Sequence, residues 1–226
     1  MTTLTSEPAV ATARILLVED HAMFRERLAH LIADEFEFCV CGQTDNIRDA
    51  TELAKITAPD MAIIDITLRG SSGLELLKNW KSEGIALPTL VLSMHEETLY
   101  AERVIAAGAM GYITKHENSE TLLRAIQRVL EGKIYLSDPM MEHMLSNMAG
   151  RAGRAGNAPA ISRLADRELE VFQLIGKGRS TREISELLNL GMTTVDTYRT
   201  RIKEKLRFSS GAELIRCASR WVIDGR

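Results

Sequence analysis

MAIIDITLRGSSGLELLKNWKS, residues 61–82, begins with an apolar run that closes on an acid, Asp65, crosses a short turn, and enters an amphipathic stretch at Gly73. An apolar run without polar alternation indicates a strand buried on both faces, and the amphipathic stretch indicates a helix packed over it. The same unit recurs on both sides. RILLVE (14–19) precedes HAMFRERLAHLIAD (21–34), and FEFCVCG (36–42) precedes NIRDATELAKIT (46–57). Downstream, PTLVLS (88–93) precedes EETLYAERVIAAG (96–108), and MGYIT (110–114) precedes NSETLLRAIQRVLEG (118–132). Strand and helix thus alternate over residues 14–133, which predicts a doubly wound α/β domain with a five-stranded parallel sheet. Residues 1–13 are expected to be disordered.

The pattern changes after Leu136. SDPMMEHMLSNMAG predicts a short amphipathic helix, and RAGRAGNAPA, which has no core-forming residues, predicts a flexible segment, so 134–160 reads as a linker. Met140, Met141, Met144 and Met148 fit a packing stripe better than a binding surface. From Leu164 four helical patterns follow without a strand: DRELEVFQLIGKG, STREISELLNL, MTTVDTYRTRIKEKL and SGAELIRCASRWVI. Ser180 with Glu183 and Ser210 with Glu213 match the capping box, while Gly176 and Gly178 would end the first helix. Residues 161–226 are therefore expected to form a separate all-α domain of four helices.

With 226 residues and 45% hydrophobic content, the chain has material for two cores. It lacks an apolar run of roughly 18 residues, and its N-terminus lacks the basic start and apolar centre of a signal peptide, so a soluble, cytoplasmic protein without membrane contact is expected. Cys39, Cys41 and Cys217 have neither disulfide-framework nor zinc-site spacing, and read as ordinary half-buried cysteines rather than metal or redox groups. The net charge of −3 hides an asymmetry: −7 over residues 1–137, zero over 138–160 and +4 over 161–226. An acidic module is joined to a basic one suited to phosphate backbones, although +4 alone also fits proteins that never meet nucleic acid.

In an open parallel sheet the reactive site lies beyond the carboxyl ends of the strands. Glu19 and Asp20 close the first strand, Asp65 the third and Ser93 the fourth, and Lys115 follows the fifth. Carboxylates gathered at neighbouring strand ends repel one another and ordinarily need a cation, and hard oxygen ligands suit Mg2+. With a hydroxyl and an ammonium added, such a pocket can stabilise a transferred phosphoryl group. Read blandly, the acids are solvated loop ends, but that does not account for five chemically matched residue types at the right strand ends.

On these residues, 14–133 resemble a response-regulator receiver domain, which has a flavodoxin-like fold. The resemblance implies that Asp65 accepts a phosphoryl group from a phosphohistidine on a sensor histidine kinase. It further implies that Asp20, Asp65 and the Thr67 backbone carbonyl hold Mg2+, with Glu19 helping through water. Ser93 would hydrogen-bond the phosphoryl oxygens, Lys115 would pair with them, and Tyr112 would be the aromatic switch that turns inward. Gly73 matches the usual glycine after the acceptor. Arg69 and His116 depart from the family pattern, standing where prolines are common. Thr67 and His95, two residues past Asp65 and Ser93, are placed to tune the lifetime of the phosphorylated form.

In the basic domain, Val195, Tyr198, Ile202 and Leu206 form one apolar stripe, which leaves Thr193, Thr197, Thr200 and Arg201 on the opposite face with Asp196 and Lys203 beside them. Such a helix suits the major groove of DNA, with Arg199, Lys203 and Lys205 toward phosphates. A helical protein-interaction domain is the alternative. Residues 161–226 resemble the LuxR-type helix-turn-helix domain, on ADRELEVFQLIGKGRSTREISELL and TTVDTYRTRIKEKL. With the receiver they resemble the NarL/FixJ class of response regulators. That resemblance implies a transcription regulator, not an enzyme, that dimerises on phosphorylation, binds double-stranded promoter DNA and meets RNA polymerase. Thr193, Asp196, Thr197 and Thr200 would approach base edges; Ala165 and Gly191 stand where capping Thr and Ser are usual. A Mg2+-dependent phosphohydrolase is disfavoured by Thr67, where such an enzyme usually needs a second acid, and a phosphate-independent interaction module by the complete pocket. The charge split suggests that the acidic receiver docks on the basic domain and covers residues that DNA needs.

Overall fold

The computed structural model describes residues 12–68, 71–94, 97–151 and 160–224. The readings at 1–11, at Arg69 and His95, and for the 152–159 part of the linker lie outside them. In chain order the first domain comprises β1 (Ala13–Val18), α1 (Ala22–Ala33), β2 (Phe38–Thr44), α2 (Ile47–Thr57), β3 (Met61–Asp65), β4 (Thr67–Leu68), β5 (Ser71–Ser72), α3 (Gly73–Ser82), β6 (Thr89–Ser93), α4 (Glu97–Ala107), β7 (Gly111–Thr114) and α5 (Ser119–Leu130). Then come α6 (Asp138–Arg151), a short 3-10 turn (Ala160–Arg163), α7 (Asp166–Gly176), α8 (Thr181–Leu187), α9 (Met192–Leu206) and α10 (Gly211–Asp224).

The central sheet is parallel, in the order β2-β1-β3-β6-β7. Counting only its own strands, this is 2-1-3-4-5, as expected for a flavodoxin-like receiver. Alternation sorts the strand residues between two layers. Ile15, Leu17, Ile63, Leu90 and Ile113 face Leu28 and Ile32 of α1 and Leu122, Ile126 and Val129 of α5. Leu16, Val18, Ile64 and Val91 face the other way, toward Ala50 of α2, Leu74, Leu77 and Trp80 of α3, and Val104 of α4. The chain leaves β1 toward β2 and returns to β3 on β1's other side, so a crevice opens at the carboxyl ends of β1 and β3. Val18 pairs with Ile64, and Asp65 with Leu92, which sets those ends level.

In the second domain, Val195, Ile202 and Leu206 of α9 are buried and Tyr198 is partly so, as their spacing predicts. Ser180 and Glu183 form the expected box: the Ser180 N–H donates to Glu183 Oε2 at 2.8 Å and the Glu183 N–H to Ser180 Oγ at 3.3 Å. The second box is shared differently. Ser210 Oγ accepts from the Glu213 N–H at 3.2 Å, but the Glu213 carboxylate turns to the Ser209 N–H and hydroxyl. α7 ends at Gly176, and Gly178 (φ 76°) takes the left-handed conformation after it.

Two features depart from expectation, a hairpin after β3 and a core shared between the domains, while the methionine stripe is as expected. β4 and β5 make a two-residue antiparallel hairpin directly after the β3 acid. Met140 is buried and Met141 and Met144 pack beside it, as the packing reading expects, and the Met148 side chain lies outside the described residues. One buried apolar cluster includes residues of α3 and α4, Met140, and Leu169, Phe172 and Ile175 of α7.

Candidate functional site

The crevice collects the predicted acids. Carboxylate oxygens of Glu19, Asp20 and Asp65 all lie within 4.8 Å of one another. Glu19 and Asp65 are buried and Asp20 is partly exposed. Lys115 bridges two of them, with Nζ 2.6 Å from Glu19 Oε2 and 2.7 Å from Asp65 Oδ2. Its position is fixed from two sides: the Lys115 N–H donates to the Ser93 carbonyl at 2.8 Å, and Nζ sits 4.6 Å from the centre of the Phe24 ring. Glu19 is held through its neighbours' donors, the His21 N–H to Oε1 at 3.1 Å and Arg25 Nη1 to the Glu19 carbonyl at 2.5 Å.

The turn after Asp65 is held as tightly. The Thr67 N–H donates to Asp65 Oδ1 at 3.2 Å, and the Gly73 N–H and Ser72 hydroxyl both donate to the Ile66 carbonyl. A Cβ on Gly73 would lie 2.2 Å from the Asp65 carbonyl oxygen, so only glycine permits this closure. Ser93 is fully buried, and the Tyr112 ring lies inside the domain at 1% exposure.

Electrostatics follow from burial. Burial pushes the Asp65 carboxyl up to about 7, the Glu19 charge pushes it the same way, and Lys115 opposes both. Burial alone would lower the Lys115 ammonium, but the charges of Asp65 and Glu19 outweigh it and hold it above its ordinary value. One ammonium among three gathered acids leaves the cluster short of positive charge. An all-oxygen donor set in that condition fits a small hard cation such as Mg2+.

The comparisons agree with this geometry. Residues 15–127 match the response regulator receiver domain, and residues 162–218 match the bacterial regulatory proteins of the luxR family. The chain belongs to the two-component response regulators. It is 34% identical over 207 residues to the virulence factors putative positive transcription regulator BvgA of Bordetella pertussis, covering 92% of this chain and 97% of that one. To the response regulator GacA of Pseudomonas aeruginosa it is 32% identical, covering 92% and 95%. Among solved structures, a LuxR-family two-component response regulator from Aurantimonas sp. SI85-9A1 is 30% identical with a TM-score of 0.57, covering 62% of this chain and 99% of that one. RcsB of Salmonella enterica serovar Typhimurium, bound to promoter rprA with the phosphomimetic BeF3-, shares the fold at 18% identity and a TM-score of 0.59, covering 92% and 98%. This response regulator is thus a transcription regulator with a LuxR-type DNA-binding domain, in a family that is not one of enzymes.

On α9, Thr193, Asp196, Thr197, Thr200 and Arg201 are exposed and Lys203 is partly so. Lys205, expected near phosphates, instead places Nζ 2.6 Å from Glu168 Oε2 and ties α9 to α7. The same Glu168 oxygen accepts from the Ala165 N–H at 2.7 Å, supplying the half of a capping box that needs no side chain at Ala165.

Sequence reasoning expected the two domains to dock but missed which residues form the seam between them. Asp166 of α7 receives Lys78 of α3 at 2.7 Å and Arg103 of α4 at 3.0 Å. Arg103 Nη1 also donates to the Leu164 carbonyl at 2.8 Å, Tyr100 of α4 pairs with Gln173 Oε1 at 3.3 Å, and Arg167 Nη2 donates to the Leu68 carbonyl at 2.9 Å. The polarity reverses the net charges: the acidic receiver supplies the cations and the basic domain the acid. Local pairs decide because net charge is screened beyond about 8–10 Å. The receiver meets α7 and leaves Thr193, Asp196, Thr197, Thr200 and Arg201 of α9 exposed, so the expected covering does not extend to them.

Proposed function

We propose that Asp65 is the phosphoacceptor through which a sensor histidine kinase controls pairing and sequence-specific DNA binding by this response regulator. The supporting observation is the Lys115 bridge between Asp65 and Glu19, which holds an ammonium where a phosphoryl group on Asp65 would need one. The Asp65 carboxylate attacks the phosphorus of a phosphohistidine, the P–N bond breaks, the imidazole leaves and is protonated, and an acyl phosphate remains. Asp20, Asp65 and the Thr67 carbonyl would hold Mg2+, with Glu19 assisting. When bound, the ion neutralises oxygen charge on the transferring group. Ser93 donates to a phosphoryl oxygen, Lys115 turns from the carboxylates to the phosphoryl group, and Tyr112 packs behind Ser93.

The signal then has a short path. Leu68 follows Thr67, and its carbonyl is held by Arg167, so a rearranged turn after Asp65 loosens α7. The released domain pairs with that of a second copy on promoter DNA. There α9 enters the major groove with Thr193, Asp196, Thr197, Thr200 and Arg201 at base edges and Lys203 at a phosphate, within reach of RNA polymerase. Among the described residues no helix is long and apolar enough to cross a membrane; a cytoplasmic site of action fits a DNA-binding role. The domain divisions 14–133, 134–160 and 161–226 fit this scheme. The test is incubation with acetyl phosphate and Mg2+. One phosphoryl mass on wild type and none on Asp65→Asn is expected; equal labelling of both refutes the assignment.

A further inference from the structure

The face of α7 turned to the receiver carries Asp166, Arg167, Glu170 and Gln173, which helical spacing places together. Three of the four reach across the seam: Asp166 to Lys78 and Arg103, Arg167 to the Leu68 carbonyl, and Gln173 to Tyr100. Glu170 stands between them and does not. It is fully buried, its Oε2 accepts from Arg167 Nη1 at 2.5 Å, and its Oε1 has no hydrogen-bond partner among the described residues. An ionised oxygen buried without a donor is costly, and a proton on the carboxyl removes that charge.

We propose that the seam between receiver and DNA-binding domain is a proton-sensitive latch, in which Glu170 is protonated while α7 is docked and ionised once α7 is released. Docking therefore takes up a proton, and acidification strengthens the hold of the receiver on the DNA-binding domain. The inference rests on the docked contact and is independent of which residue accepts the phosphoryl group.

The groups around Glu170 support this. Its own helix supplies Arg167, which favours the ionised form, and Asp166, which opposes it. Receiver helix α4 supplies Tyr100, whose hydroxyl is pushed well above 10 first by burial and then by the Glu170 charge, and Arg103, already committed to Asp166. From α3 comes Lys78, also on Asp166, and from β4 only a carbonyl. Against the other sides of α7, α8 brings buried Ile184, α10 brings Leu214 and Ala218, and the α9 ammonium of Lys205 is held by Glu168. Burial is the largest influence and pushes the Glu170 carboxyl from 4.5 up to about 7. A group raised in the docked state favours docking fully below about 4.5 and loses that contribution as pH rises through 7. Docking should therefore weaken by roughly 50- to 100-fold between pH 5 and pH 8.

Small-angle scattering of the full chain, without a phosphodonor and at fixed ionic strength, reads the latch between pH 5.5 and 8.0. Wild type should expand with a midpoint near neutrality, whereas Glu170→Gln, which carries a neutral amide at every pH, should stay compact. A wild type of constant dimensions, or a Gln variant that expands along the wild-type curve, overturns the proposal. Should Glu170→Gln fold poorly, the 13C shift of the Glu170 carboxyl in wild type decides. Titration near neutrality supports the latch, and titration between 4 and 5 overturns it.

Discussion

Arg167 Nη2 lies 2.9 Å from the carbonyl oxygen of Leu68, so the first helix of the DNA-binding domain grips the receiver backbone one residue beyond Thr67. The same guanidinium serves the buried Glu170 through its other nitrogen. Arg167→Ala is predicted to release α7 and to raise DNA affinity in the absence of phosphate. A charge-assisted hydrogen bond contributes about 1.5–3 kcal/mol, so the change should be roughly tenfold or more. An electrophoretic titration that finds wild-type affinity in the unphosphorylated variant would sink the path from Asp65 through Leu68.

The two cations on Asp166 should not count equally. Lys78 is 57% exposed and its pair is worth about 0–1 kcal/mol, whereas Arg103 is 21% exposed and also holds the Leu164 carbonyl. Arg103→Ala is therefore predicted to expand the chain in solution scattering at pH 6, and Lys78→Ala to change it little. Equal expansion in both variants contradicts this ranking.

Asp65 makes the metal-free receiver sensitive to pH. Its carboxyl is raised to about 7 in the folded state, so folding binds its proton more tightly, and its contribution to stability falls as pH rises from about 4 through 7. Thermal melts of the full chain between pH 5.5 and 8 should slope downward, and Asp65→Asn or added Mg2+ should flatten the receiver transition. An unchanged slope in both cases would count against a raised Asp65 and a cation at the acid cluster.

Within α9, Thr197→Ala and Arg201→Ala are predicted to alter base preference, at a cost of about 1–3 kcal/mol on the preferred site. Lys203→Ala should weaken all sequences alike and lower the salt slope of binding by about one. Lys205→Ala should leave that slope unchanged, since its ammonium is spent on Glu168. Footprints and salt titrations check all four; a lower slope in Lys205→Ala would return that residue to the phosphates.

What could be read in the sequence was whatever depends on local pattern. Burial on both faces wrote the sheet strands as apolar runs, helical spacing wrote Val195, Ile202 and Leu206, and the pocket residues sit at strand ends that the alternation itself locates. The β4–β5 hairpin was too short to leave a periodic signal. The seam was illegible for a different reason: Arg167, Glu170 and Gln173 look like the solvated face of an amphipathic helix, and only tertiary contact turns that face inward. Net charge misdirected the reading there, because −7 and +4 do not say which few side chains touch. Lys205 likewise reads as a free cation in the sequence, since only the fold brings Glu168 to it.

If α9 enters the groove as proposed, its uncovered face has a bearing on timing. A regulator whose groove-binding helix is hidden at rest must find DNA after the signal arrives. Here the hydroxyls and Arg201 already face solvent while the receiver grips α7 on another side. On that reading the resting molecule would be free to make weak, salt-sensitive contacts with DNA that ignore sequence. The signal would then have less to recruit than to convert, and the delay before a promoter responds would be set by one resident meeting another along the duplex rather than by a search through the whole cell volume.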